Sequence, residues 1–197
     1  MAKPEEPEAV KLVCATLSSD PAVLRRALVA LSERFGTLDY ESEGYRFDLT
    51  SYYETEMGGD LERRLLSFRD TVPPDLLVEA KALANRVEDT LRSPRGRRVN
   101  LDVGYLDAHK LVLASCKAGR PKVYLSQGVY ADPIAFYAKG RFSYPEGSFA
   151  DFRSGRYDRD LLEIRARYAA GRRSVSSEEG VPCRPPPSYN TKQTRGE

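Results

Sequence analysis

Three polar stretches hold the side chains of this sequence that could do chemistry. The first, Phe47-Asp48-Leu49-Thr50-Ser51-Tyr52-Tyr53-Glu54-Thr55-Glu56-Met57-Gly58, sets the acceptors Asp48, Thr50, Glu54 and Glu56 beside two phenols. Such a segment could bind a divalent cation or accept hydrogen bonds from a polar ligand. The plainer alternative is a solvated loop pinned by its tyrosines. The second stretch is Arg97-Arg98-Val99-Asn100-Leu101-Asp102-Val103-Gly104-Tyr105. If Val99 and Leu101 point into a core, Arg98, Asn100 and Asp102 share the opposite face of a strand. Arginine suits a phosphate or carboxylate, and the Asn–Asp pair adds directed donors and acceptors. Gly104 permits a tight turn after that strand, in which Asn100 and Asp102 would alternatively serve the backbone. The third is Asp107-Ala108-His109-Lys110, with the only histidine of the chain. If extended, Asp107 and His109 share a face and could orient an imidazole; a surface histidine is the plainer reading.

Several chemistries are excluded by what is missing. There is no G-x-x-x-x-G-K-[ST] phosphate loop, no G-x-G-x-x-G and no G-x-S-x-G. One histidine and three widely spaced cysteines with no C-x-x-C pair give no zinc set and no disulfide framework, so no metal site is expected. Lys plus Arg is 31 against 29 for Asp plus Glu, a formal charge of +2. That balance lacks the basic footprint of a nucleic-acid binder, so no such partner is expected. With 41% hydrophobic and 30% charged residues the chain is globular. No apolar run approaches the roughly 20 residues of a membrane span, and the N-terminus has no secretory pattern. The expectation is a cytoplasmic protein without a membrane partner.

These side chains need a frame, and the apolar pattern supplies one. The run Val10 to Leu17 reads as a buried strand. Asp20-Pro21 then starts a helix, whose stripe Leu24, Ala27, Leu28, Leu31 and Phe35 ends at Gly36. Thr37 to Leu49 reads as a strand kinked at Gly44, residues 50–60 as a loop, and Arg63 to Arg69 as a third strand. Pro73-Pro74-Asp75 opens a second helix with Leu76, Leu77, Ala80, Leu83, Ala84, Val87 and Leu91 on one face. Arg97 to Leu101 is the fourth strand. Lys110 to Cys116, Lys122 to Leu125 and Val129 to Tyr137 follow as a meander, and Asp158 to Tyr168 as a last helix. The fold expected is α+β: a ferredoxin-like β-α-β-β-α-β unit extended by an antiparallel β-meander and a C-terminal helix. Residues 1–9 read as an extension, 10–169 as a single domain and 170–197, rich in Ser, Gly, Pro and Arg, as a disordered tail.

The segments Phe47 to Thr50, Tyr52 to Glu54, Glu56 to Gly58, Arg63 to Phe68 and Asn100 to Tyr105 together resemble the domain of unknown function 4416 family. That family's marker is Asn-Leu-Asp-Pro-Gly-Tyr, in which Val103 here takes the place of proline. Lys110 to Ala114, Tyr124 to Tyr130, Phe152 to Ser154 and Tyr157 fit as well, over roughly Pro7 to Tyr168. The resemblance implies a prokaryotic intracellular protein and brings no established activity. A label of GTP-binding protein occurs in the family, but this chain has neither a phosphate loop nor an N-K-x-D motif.

From the residues, the leading expectation is a small anionic or phosphorylated ligand held between the Asp48–Glu56 loop and the Arg98–Tyr105 turn. Its candidate contacts are Asp48, Thr50, Tyr52, Tyr53, Glu54, Arg98, Asn100, Asp102 and Tyr105. One alternative is an enzyme with Asp48, Asp102 or His109 as acid or base on such a ligand. Another is an assembly or RNA-associated protein using its sheet and Arg-rich tail. Ligand identity, cofactor and oligomeric state are not encoded in any motif.

Overall fold

The structure, a computed structural model, describes residues 3–177. Its first strand, β1 (Val10–Ser18), is buried at every position, as a strand covered on both faces must be. Asp20 caps α1 (Pro21–Phe35), its Oδ1 accepting the N–H groups of Ala22 at 2.9 Å and Val23 at 3.1 Å. That satisfies donors that would otherwise lie orphaned at the helix start.

The next segment departs from the single kinked strand expected. It forms β2 (Leu38–Glu41) and β3 (Tyr45–Arg46), joined at Ser42. The Ser42 hydroxyl accepts the Leu65 N–H at 2.9 Å while its own N–H donates to Leu65 O, so a side chain replaces a carbonyl and the ladder breaks. The expected loop contains one helical turn, α2 (Glu54–Met57). Both short strands lie along β4 (Glu62–Val72). A 3-10 turn at Pro74–Leu76 leads into α3 (Leu77–Thr90). Then follow β5 (Asn100–Leu106), β6 (Lys110–Ser115), β7 (Val123–Ser126), β8 (Val129–Ala138), β9 (Arg141–Ser143), α4 (Ala150–Arg153) and α5 (Asp158–Ser177). Thus α5 extends past Tyr168, and residues 178–197 of the expected tail lie outside the described residues.

All strand pairs are antiparallel, in the order β2-β4-β1-β5-β6-β8-β7, with β3 also on β4 and β9 on β8. Side-chain alternation sends β1 residues to two cores. Leu12 and Cys14 join Leu66, Leu101 and Val103 beneath α1 and α3. Val13 and Ala15 join Leu65, Leu111 and Leu113 against Phe152 of α4 and Leu161 and Ile164 of α5. The sequence placed two helices on one face; the C-terminal helices cover the other. A third cluster, Leu17, Phe47, Met57 and Leu61 with Tyr53 against it, fastens the α2 segment to the end of the sheet.

One departure creates the site. The fourth strand was expected over 97–101 with a turn at Gly104, but β5 begins at Asn100 and Gly104 lies inside it. A Cβ there would stand 2.2 Å from Val112 O and 2.6 Å from Leu113 Cδ2, so only glycine admits the crossing of β6. The β5–β6 register runs from Leu106↔Leu111 to Gly104↔Leu113 and stops, while β6 continues beside β8. Residues 100–103 of β5 therefore lie outside that ladder.

Candidate functional site

Where β6 leaves β5, a helix supplies the missing partners. Lys81 and Glu88, two turns apart, occupy the buried stripe of α3 alongside Leu77, Ala80 and Ala84. Glu88 Oε1 accepts the Leu101 N–H at 2.7 Å, and Lys81 Nζ donates to Leu101 O at 3.3 Å. Buried backbone groups must be paired, and here two ionisable side chains do it. The gap they border is a cavity of about 380 Å³, walled by Lys81, Glu88, Asn100, Asp102, Asp132 and Tyr53, with Tyr52, Lys117 and Phe149 also on its lining.

Arg97 ties the first polar stretch to the second. Its Nε and Nη2 donate to Glu56 Oε2 at 3.0 and 2.8 Å, and its backbone N–H donates to Glu56 Oε1 at 3.2 Å. Its guanidinium lies 5.7 Å from the Tyr53 ring centre, and Nη1 donates to Asn100 Oδ1 at 2.8 Å. Gly96, at φ 131°, makes this docking possible, because a Cβ there would come within 2.5 Å of Glu56 Cγ. Asn100 is 4% exposed, and its Nδ2 has no well-formed hydrogen bond, although it lies close enough to Asp102 to help keep that carboxylate charged.

Asp102 is held by Arg63, itself 2% exposed, through an Nη1–Oδ2 contact of 2.9 Å. Arg63 Nε also lies 3.2 Å from Asp151 Oδ2, and its guanidinium 5.1 Å from the Phe47 ring centre. Burial works against the charge on Asp102, yet Arg63 and Lys81 keep its pKa below the usual carboxylate range. Glu88 and Asp132 go the other way. Burial raises the Glu88 pKa despite Lys81. It raises that of Asp132 despite an ion pair of 3.0 Å with Lys122, and Asp102 adds to the rise. Tyr53 is pushed up to about 12 by burial and by Asp102. At the rim, Lys117 donates to the Tyr52 hydroxyl at 2.9 Å and lowers its pKa. One cavity thus holds a carboxylate kept as the anion, two that hold a proton more tightly than an ordinary carboxylate, and four cationic side chains, Lys81, Arg97, Lys117 and Lys122.

Of the residues singled out in the sequence, Tyr52, Tyr53, Asn100 and Asp102 meet at this cavity. The others lie elsewhere. Asp48 is half-exposed and pairs with Arg156 at 3.1 Å. Glu54 is exposed, and Thr50, also exposed, accepts the Tyr52 N–H. Arg98 binds the helix cap Asp20 at 2.5 Å. Tyr105 lies on the opposite sheet face, on a groove beside α3 that includes Leu125. Asp107 Oδ1 accepts the N–H groups of His109 and Lys110, which closes the β5–β6 turn, and His109 is exposed. Roughly 17 Å of strand separates Asp102 from that turn. Lys81, Glu88, Lys122 and Asp132 lie outside the three polar stretches, and Arg97 opens the second stretch without being among its candidate contacts. For Lys81 and Glu88 a signal existed: ionisable residues seven apart within an apolar helical stripe.

Among the described residues no group of three or more His, Cys, Asp or Glu is arranged to hold a metal ion. None of the helices there is long and apolar enough to cross a membrane. No curated protein matches the chain, and no solved structure matches it. A family model, domain of unknown function (DUF4416), matches residues 8–168, which takes in every strand and the residues walling the cavity. The chain belongs to the DUF4416 family.

Proposed function

We propose that the cavity between β5, β6 and α3 binds a small molecule bearing an anionic or phosphorylated group. The observation that carries this is a pair of under-used donors on one wall. Lys81 is 7% exposed and makes a single hydrogen bond among the described residues, and the Nδ2 of Asn100 makes none of good geometry. An unpaired buried donor costs free energy, which a ligand acceptor would recover. A thermal-shift screen of the full chain with inorganic phosphate, nucleotides and sugar phosphates tests the reading. A ligand present at about 100 times its Kd stabilises by about 2.7 kcal/mol, and K81M and N100A are expected to abolish that gain. Absence of any stabilising compound, or gains that survive both substitutions, would refute it.

A second reading is an enzyme acting on the same ligand, favoured by the raised pKa values of Glu88 and Asp132 within one cavity. It moves the acid–base role away from Asp48 and His109, which lie outside the cavity. We also infer a ferredoxin-like unit within the sheet, supported by the neighbour order β2-β4-β1-β5 and by the crossover helices α1 and α3. A cytoplasmic setting is supported by the free thiols of Cys14 and Cys116.

A further inference from the structure

The charges that line the cavity do not cancel one for one. Each carboxylate already has a cation: Glu88 lies 3.6 Å from Arg97, Asp102 2.9 Å from Arg63 and Asp132 3.0 Å from Lys122. Lys81 and Lys117 donate instead to uncharged oxygens, the Leu101 carbonyl and the Tyr52 hydroxyl. This pairing leaves two positive charges over, Lys81 at the buried end and Lys117 at the rim. Beside them stands the Nδ2 of buried Asn100, without a well-formed hydrogen bond.

The same cavity holds a nucleophile. Cys116 directly follows β6, is exposed, and lies on the lining. Asn85 Nδ2 donates to its sulfur at 3.4 Å. Asn85 comes one turn after Lys81 on α3, and side chains so spaced have Cβ atoms roughly 5–6 Å apart. The helix therefore brings the thiol near a surplus lysine that is remote in sequence, while Lys117 adjoins it along the chain. The volume open to it, about 380 Å³, is that of a small-molecule pocket.

We infer that Cys116 is a site of reversible thiolation by anionic low-molecular-weight disulfides, whose carboxylates or phosphates dock on Lys81, Lys117 and Asn100. The inference rests on the anion-binding reading above and adds to it a covalent switch that fills the cavity. The Cys116 thiolate attacks one sulfur of the disulfide, and a new S–S bond forms as the old one breaks. The other half leaves as a thiolate and the Cys116 proton passes to water. Cys116 is oxidised and the departing half is reduced. A free thiol reverses the step and empties the cavity.

The test uses the full chain carrying C183S, so that Cys14 and Cys116 are the thiols present. It is treated with oxidised glutathione, coenzyme A disulfide, the neutral 2-hydroxyethyl disulfide and the cationic cystamine. Intact mass and peptide mapping follow the adduct at Cys116, and the urea-unfolded chain gives each reagent's rate without the cavity. The preference for at least one anionic disulfide over the neutral one is expected to be about tenfold larger in the folded chain. K81M should remove that excess and leave the neutral rate unchanged. Should K81M fail to fold, the comparison of folded with unfolded chain decides alone. Equal preferences in the two states, an excess untouched by K81M, or an adduct on Cys14 instead of Cys116 would each overturn the inference. The thermal-shift screen repeated on C116S separates the two readings. A stabilising anion there, with no disulfide preference, removes the thiol inference alone; absence of both removes the anion-binding reading with it.

Discussion

Glu88 stands in for a neighbouring strand at Leu101, whose N–H it accepts at 2.7 Å where the β5–β6 ladder has already ended. Removing the acceptor leaves a buried donor unpaired, so E88A is expected to cost about 1–3 kcal/mol. E88Q keeps an oxygen in place and should cost less. Urea unfolding of both variants checks the order; equal losses would argue against the capping role.

The same carboxylate gives stability a pH signature. The native Glu88 pKa is raised, so the folded state binds this proton more tightly than the unfolded chain does. Its contribution is greatest at low pH and is lost as pH rises from the ordinary carboxylate range through the native value. Asp102 has the opposite sign: its contribution is present above the ordinary range and lost as pH falls through its lowered native value. E88Q should flatten the upper window, leaving the part due to Asp132, and should leave the lower window unchanged. An unaltered upper slope in E88Q would contradict this assignment.

Arg63 neutralises two carboxylates at once, Asp102 and Asp151. R63M removes the cation between them, leaving Asp102 only the more distant Lys81, and is expected to cost about 3–5 kcal/mol. The loss should shrink at acid pH, where the carboxylates can protonate. Chemical denaturation at two pH values reads both effects.

At Gly104 an added methyl would strike the Val112 carbonyl, a group fixed by the sheet. G104A is expected to destabilise by about 3 kcal/mol. Because it would pry β6 from β5, faster amide exchange at Leu111 and Val112 is expected as well. Wild-type exchange rates there would refute the proposed crossing.

The two thiols of the described residues should differ sharply in reactivity. Cys14 is 1% exposed and its pKa is driven upward by burial and Asp102. Cys116 is exposed on the cavity lining, where its sulfur accepts from Asn85 Nδ2 at 3.4 Å. Peptide mapping after iodoacetamide treatment should find Cys116 modified and Cys14 intact.

Local signals were plain in the sequence where one element decides the outcome. Asp20-Pro21 started α1 as written, and the stripe from Leu24 to Phe35 faced the core. The unbroken apolar run from Val10 to Leu17 already implies a strand covered on two faces. The site was half legible. Tyr52, Tyr53, Asn100 and Asp102 stood out by type, because polar groups cluster there between apolar runs. Asp132 did not, since a carboxylate next to Pro133 in a meander strand resembles a solvent-facing residue until β6 places it beside Leu113. Arg98 and Tyr105 lie away from the cavity because Gly104 serves a strand crossing rather than a chain reversal. No local pattern distinguishes those two uses.

The two-sided sheet also has a consequence for synthesis. A ribosome releases α1 and α3 early, so the layer they complete can consolidate while translation continues. Val13, Ala15, Leu65 and Leu113 must wait for Leu161, Ile164 and Tyr168, the last core residues to emerge among those described. Until then an apolar plank faces solvent or a chaperone. A nascent chain stalled before residue 158 would be sticky however well its first half had folded.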